Sequence, residues 1–196
     1  MEVTVITPTL PERAELLREC IASVEAQTCP AKAHLIWTDT ERRGCAAALN
    51  MLWPRVQTEW VAVLADDDVM YPNHLETLLA QAQVSEYEGE VGVVYSYCHV
   101  LGRPDGWNPN RPFNARRVLS GDQGIPATAL IRRTLVEKLG GWRNWPNMWE
   151  DQDFWIRAVR GGARFVCVQR ITWAYRFHDT NSSLAASTHP GCNEHR

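Results

Sequence analysis

A chain of 196 residues is long enough for one domain with a single sizeable core. Its 45% hydrophobic and 22% charged residues are ordinary for a folded water-soluble protein, and no apolar run approaches the length needed to cross a bilayer. A net charge of -3 leaves no global electrostatic case for a nucleic-acid or anionic-membrane partner.

No secretory signal pattern follows Met1, so the expected location is the cytoplasm. The six cysteines (Cys20, Cys29, Cys45, Cys98, Cys167 and Cys192) show no Cys-x-x-Cys spacing. They are expected to be reduced core residues, neither zinc ligands nor disulfides. Nine tryptophans are unusual, and their clustering over 142–155 predicts a dense local core or a wall for a flat ligand.

In chain order, Val3-Thr4-Val5-Ile6 is a β-branched strand stopped by Thr7-Pro8-Thr9-Leu10-Pro11. Over 12–27 apolar residues recur at Leu16, Leu17, Cys20, Ile21 and Val24, which is helical spacing. His34-Leu35-Ile36-Trp37 predicts a second strand, and 46–53 a short helix closed by Pro54. Trp60-Val61-Ala62-Val63-Leu64-Ala65 is a third strand ending on Asp66-Asp67-Asp68. A helix over 74–82 and a strand at Val91-Gly92-Val93-Val94-Tyr95-Ser96 follow. This alternation predicts an α/β fold with a mostly parallel sheet, and such sheets bind ligands beyond the carboxyl ends of their strands. The loops at 7–11, 39–44 and 66–68 should therefore share one rim.

The second half is less regular. Residues 99–121, rich in Gly, Pro, Asn and Arg, predict a hairpin or mobile loop. A strand over 125–131, a helix over 134–139 ending at Gly140-Gly141, and a helix over 151–160 come next. Phe165-Val166-Cys167-Val168 and 171–177 supply two further strands, and the tail beyond Ser183 should fray.

Three clusters carry chemistry. Two carboxylates about 4 Å apart repel by about 4 kcal/mol at an effective dielectric of about 20. Asp66-Asp67-Asp68 is therefore tolerable at a sheet rim where solvent or a cation relieves the repulsion. Hard oxygen donors favour magnesium or manganese bridging to phosphate, although such a triplet can also merely cap the helix behind it. Glu150-Asp151-Gln152-Asp153 opens a helix, where acids complement the helix dipole but can also hold a rigid, ionised general base. His178, just past a strand and followed by Asp179-Thr180-Asn181-Ser182-Ser183, could complete a metal site or contact a diphosphate.

A series of short pieces also occurs in a definite order. Ile6-Thr7-Pro8-Thr9 with Arg13 comes first, then Asp39, then 44–50 from Gly44 to Asn50. Leu64-Ala65-Asp66-Asp67-Asp68 with Pro72 and Leu75 follows, then Ala129-Leu130-Ile131-Arg132-Arg133 leading to Gly140-Gly141-Trp142. Glu150-Asp151 with Phe154-Trp155-Ile156-Arg157, and Tyr175-Arg176-Phe177-His178 with Asn181 and Ser183, complete the series. On these pieces the chain resembles a family-two glycosyltransferase of the GT-A fold, from Val3 to about Ser183.

The resemblance implies one Rossmann-like domain over 1–183, with a smaller acceptor-side sheet or hairpin region. Residues 1–98 would bind a nucleotide-sugar, 99–183 would serve the acceptor and catalysis, and 184–196 would be a flexible tail. It implies that Thr7, Pro8, Thr9 and Asp39 line the base pocket, with Arg13 near the nucleotide or diphosphate. Asp66 would face the ribose, Asp67 would approach both nucleotide and cation, and Asp68 and His178 would hold Mn2+ or Mg2+. Asp151 would be the general base, with Glu150 beside it, in transfer from a UDP-sugar to an acceptor hydroxyl with inversion.

Ala65 stands where many relatives carry an acid, and 39–44 lacks their acidic, Gly- and Ser-rich turn. The acceptor stays open among a glycan, a protein, a small molecule and a modified nucleobase. Trp107, Trp142, Trp145, Trp149 and the 99–121 loop are candidates for its surface. Alternatives are a retaining transferase of the same fold, a nucleotidyltransferase and a non-catalytic nucleotide-sugar-binding module. The Gly-free loop after the first strand disfavours the nucleotidyltransferase, and the retained Asp151 and His178 disfavour the pure binder.

Overall fold

The computed structural model describes residues 1–102, 108–121, 124–145 and 149–177. Its strands are β1 (Val3–Thr9), β2 (Ala33–Thr38), β3 (Trp60–Val63), β4 (Val69–Met70), β5 (Val93–Leu101), β6 (Leu130–Arg132) and β7 (Phe165–Arg176). Its α-helices are α1 (Ala14–Glu25), α2 (Cys45–Leu52), α3 (His74–Ser85), α4 (Ala115–Leu119), α5 (Arg133–Leu139) and α6 (Glu150–Arg160). The seven strands form one sheet in the order β2-β1-β3-β6-β5-β7-β4. The long ladders, β1 with β2, β1 with β3 and β5 with β7, are parallel. The short joins through β6 and β4 are antiparallel. This is the mixed α/β architecture, mostly parallel, that the alternation of elements predicts.

Period-two alternation sorts the core onto two faces of the sheet. Ile6, Val61, Val63, Val93, Tyr95 and Ile131 pack with α2, α5 and α6 on one face. Their sequence neighbours Val5, Trp60, Ala62, Leu64, Val94 and Leu130 pack with α1 and α3 on the other. Strands covered on both faces read as continuous apolar runs, which is why β3 and β5 are so visible in the sequence. No described helix is long and apolar enough to cross a membrane.

Several elements depart from their expected bounds. β1 runs through Thr7-Pro8-Thr9 instead of stopping there. Its ladder with β3 ends at Ile6, so beyond that point one edge of β1 is open and tolerates a proline. Within the 99–121 segment the first residues extend β5 against β7 and Ala115–Leu119 form α4, while 103–107 lie outside the described residues. The strand expected over 125–131 is shorter and ends one residue later, as Leu130–Arg132, which pairs with both β3 and β5. The two expected C-terminal strands are one, β7, with a register shift opposite Ser96 and Tyr97. β4, too short to read from sequence, exists because β7 offers it Trp173 and Ala174.

His74 is fully buried, and its Nδ1 meets the Thr172 hydroxyl at 2.7 Å. Burial lowers its pKa to about 3. Below its unfolded value near 6.5 the unfolded chain binds a proton that the folded chain refuses, so stability falls as pH drops. The expected result is a loss of about 2 kcal/mol between about pH 7 and pH 5 from this group alone. Urea midpoints should therefore drop more steeply over that interval in the native chain than in His74→Asn. Parallel slopes in the two proteins would contradict the assignment.

Candidate active site

The carboxyl ends of β1, β2 and β3 open on a pocket of about 930 Å3. Pro8, Thr9, Arg13 and Asp39 line it together with Asp66, Asp67 and Asp68. Glu150 and Asp151, from the first turn of α6, line it as well. Thr7 does not. Its hydroxyl lies 2.8 Å from Nε2 of His34 and within reach of Cys20, on the α1 side of the sheet. Strand alternation sends it there with Val5, so the structure does not bring Thr7 to the pocket with the other expected base-pocket residues. Burial keeps its partner His34 neutral, lowering the pKa to about 4.

The acidic triplet is organised by hydrogen bonds from distant elements. Thr9 Oγ1 donates to Asp66 at 2.6 Å. Arg13 Nη1 donates to Asp66 at 2.8 Å and to Asp67 at 3.0 Å, so one guanidinium bridges two carboxylates. The backbone N–H of Arg176 donates to Asp68 at 3.0 Å, and its Nε donates to the carbonyl of Asp67. The end of β7 is thus stitched onto the triplet. Burial first, then the neighbouring charge of Asp67, pushes the Asp68 carboxyl well above the usual range.

A cation would relieve that strain. Among the described residues no three His, Cys, Asp or Glu side chains converge as a ligand set. His178 lies outside the described residues, as do Trp107 and the tail. The donors present nonetheless fit a magnesium-like ion, which commonly takes one or two carboxylates and completes its shell with phosphate oxygens and water. Both Asp67 and Asp68 already accept hydrogen bonds, the first from Arg13 and the second from the backbone N–H of Arg176.

Asp39 is buried at the pocket edge, and its carboxylate accepts the N–H of Gly44 at 2.8 Å. Backbone N–H groups of Arg43 and Gly44 hold its pKa below the usual carboxylate range. The carboxylate therefore organises the short 39–44 turn, in which Arg42 adopts a left-handed φ of 53°. Sequence reading places Asp39 in the pocket but does not foresee this turn-capping role.

α6 is locked by a buried network. Asp153 accepts from Arg157 Nε at 2.7 Å and from Trp145 Nε1 at 3.1 Å. Arg157 also donates to the carbonyls of Leu139 and Gly141. From the opposite side, Asn50 of α2 exchanges two hydrogen bonds with the backbone of Trp142. Gly141, at φ 75°, leaves room for this clamp: a Cβ there would lie 2.3 Å from Asn50 Oδ1. Gly141→Ala combines that collision with a disfavoured φ, and the expected cost is more than about 1 kcal/mol. A thermal or urea midpoint indistinguishable from wild type would refute it.

Trp142 and Trp155 are buried, whereas Trp145 and Trp149 are exposed, so the tryptophan cluster is partly core and partly surface. Cys45 is exposed and lines the pocket, which corrects its expected burial. The described cysteines are all free, while Cys192 lies outside the described residues. Arg176 and Cys45 are site residues that sequence reasoning quotes within motifs without giving them a role.

A doubly covered α/β sheet whose strand ends carry an acidic triplet and an acidic helix start defines a domain of the GT-A class. The family model for glycosyl transferase family 2 matches residues 31–140. The chain belongs to that family. The matched region holds Asp39 and the acidic triplet but stops short of α6.

Among solved structures, S. aureus TarS 1-349 in complex with UDP-GlcNAc superposes with a TM-score of 0.72 at 16% identity. That match covers 96% of this chain and 61% of the TarS chain. The mannosyltransferase PcManGT from Pyrobaculum calidifontis, in complex with GDP-Man and Mn2+, gives 0.63 at 21% identity. It covers 94% of this chain and 59% of that one. The chain thus spans about three-fifths of the length of these structures. No curated protein sequence matches it significantly.

Proposed function

We propose that this chain transfers a sugar from a UDP-sugar to an acceptor hydroxyl, with inversion, in the presence of Mn2+ or Mg2+. One observation carries the reading: acids far apart in sequence, Asp66 to Asp68 and Glu150-Asp151, line the same pocket. The known ligands of the structural relatives, UDP-GlcNAc in one and GDP-Man with Mn2+ in the other, support a nucleotide-sugar donor.

On this reading Pro8, Thr9 and Asp39 border the base and ribose, and Arg13 orients Asp66 and Asp67 toward the nucleotide. Asp67 and Asp68 hold the cation, with His178 as a further ligand. When bound, the cation supplies positive charge that stabilises the departing diphosphate. Asp151 accepts the proton of the acceptor hydroxyl as its oxygen bonds to the anomeric carbon. The bond from that carbon to the diphosphate breaks on the opposite face, nucleoside diphosphate leaves, and the anomeric centre inverts. Glu150 adds negative charge that keeps a proton on Asp151 once it arrives. Residues 1–98 serve the donor and 99–183 the acceptor, and the reaction is assigned to the cytoplasm.

A panel of UDP-, GDP-, TDP- and CMP-sugars with Mn2+, scored for binding and slow donor hydrolysis, tests this. The expected result is binding and hydrolysis of a UDP-sugar, both lost on chelation. A protein that binds none of the donors with or without metal would refute the proposal.

A further inference from the structure

We propose that Arg111 anchors an anionic group of the acceptor, so that the molecule receiving the sugar carries a phosphate or carboxylate close to its reactive hydroxyl. The inference rests on the donor reading above and names the class of its second substrate.

Three arginines line the pocket. Arg13 is held by Asp66 and Asp67, and Arg42 pairs with Glu12 at 2.8 Å. The guanidinium of Arg111 has no hydrogen bond or ion pair among the described residues, although six carboxylates line the same pocket. Arg111 is exposed, belongs to the lining of this acid-rich cavity and has no side-chain partner among the described residues, so its guanidinium is open to an anion that arrives from outside.

Its placement is fixed by backbone contacts, not by its charge. The Tyr95 hydroxyl donates to the carbonyl of Arg111 at 2.7 Å, and its N–H donates to the carbonyl of Gly124 at 2.9 Å. Next to it, the buried side chain of Asn110 accepts from the N–H of Cys98 at 3.0 Å. Gly124 is left-handed at φ 59°, and a Cβ there would sit 3.0 Å from Arg111 Cβ and 3.2 Å from its Cγ. The stem of the arginine therefore lies along a bare Cα, which narrows its travel. Two residues on, Phe113 stacks on Phe165, which meets Trp155 edge-on. Trp155 also lines the pocket, although its indole Nε1 is itself buried.

The sheet order separates this wall from the donor rim. Asp39 and Arg42 follow β2 at one edge, and the triplet follows β3 in the middle. Arg111 is fastened to β5, on the far side of β3 and β6. A pocket of about 930 Å3 is near the upper end of small-molecule sites, roughly 300–1,000 Å3, and has space for a second ligand beyond a nucleotide.

The test loads the protein with UDP and Mg2+ and titrates inorganic phosphate, or acetate in a parallel arm, by calorimetry. Saturable binding of either anion to the UDP complex is expected, weakened about tenfold or more in Arg111→Ala and less in Arg111→Lys. UDP affinity should stay within about twofold of wild type in Arg111→Ala, because the backbone bonds that hold this segment do not involve its side chain. The arm that binds identifies the acceptor's anion as phosphate or carboxylate. Absence of binding in both arms, or equal binding by Arg111→Ala, overturns the proposal. So does displacement of UDP by the anion together with weaker UDP binding in the variant, which would assign Arg111 to the donor diphosphate. If the wild-type protein binds no UDP, the donor reading fails instead, and the anion titrations are then scored without nucleotide on the same criteria.

Discussion

Asp151→Asn is expected to bind the donor as wild type does and to lose at least about a hundredfold in transfer rate, the lower end of general-base contributions. The amide is isosteric with the carboxylate, so the pocket wall at the start of α6 keeps its shape. The helix itself is held by Asp153 and Arg157, which the substitution leaves untouched. What disappears is the proton acceptor. Donor affinity measured by calorimetry and transfer measured in single turnover separate the two effects. Equal loss of binding and turnover would sink the base assignment, because it would mean that Asp151 contributes to donor binding instead.

Asp68→Ala is expected to abolish metal-dependent donor binding and donor hydrolysis. Asp68 is buried, held by the N–H of Arg176 and destabilised as an anion by burial and by Asp67. A bound cation would offset both penalties, and the alanine variant removes the ligand together with the repulsion. The same variant should therefore fold at least as well as wild type in the absence of metal, with a thermal midpoint no longer raised by Mn2+ plus UDP. Retention of the Mn2+-dependent shift would remove Asp68 from the ligand set. Loss of folding in metal-free buffer would instead give the residue a structural role through Arg176.

These two expectations differ in where they come from. The acidic triplet was legible because β3 is buried on both faces, so its apolar run ends abruptly on Asp66-Asp67-Asp68. Asp151 was legible only through the resemblance, since an acidic helix start by itself complements the dipole as well as it serves catalysis. The clamp around Gly141 was partly visible as a Gly-Gly-Trp turn. Its partners Asn50, Asp153 and Arg157 were not, because two separate helices, α2 and α6, supply them. Arg111 gave no signal at all in a segment that reads as an irregular loop. Only the Tyr95 and Gly124 contacts give it a fixed position.

By itself the sequence determined the alternation of strands and helices, the two-faced burial of the central strands and the acids at their ends. Those properties are local: they follow from side-chain periodicity and from where apolar runs stop. Tertiary structure alone decided that β6 enters the sheet between β3 and β5, and that β7 reaches back to seat β4 and the triplet. Each is set by pairing between segments distant in the chain, where hydrogen-bond register and strand facing, not composition, choose the partner.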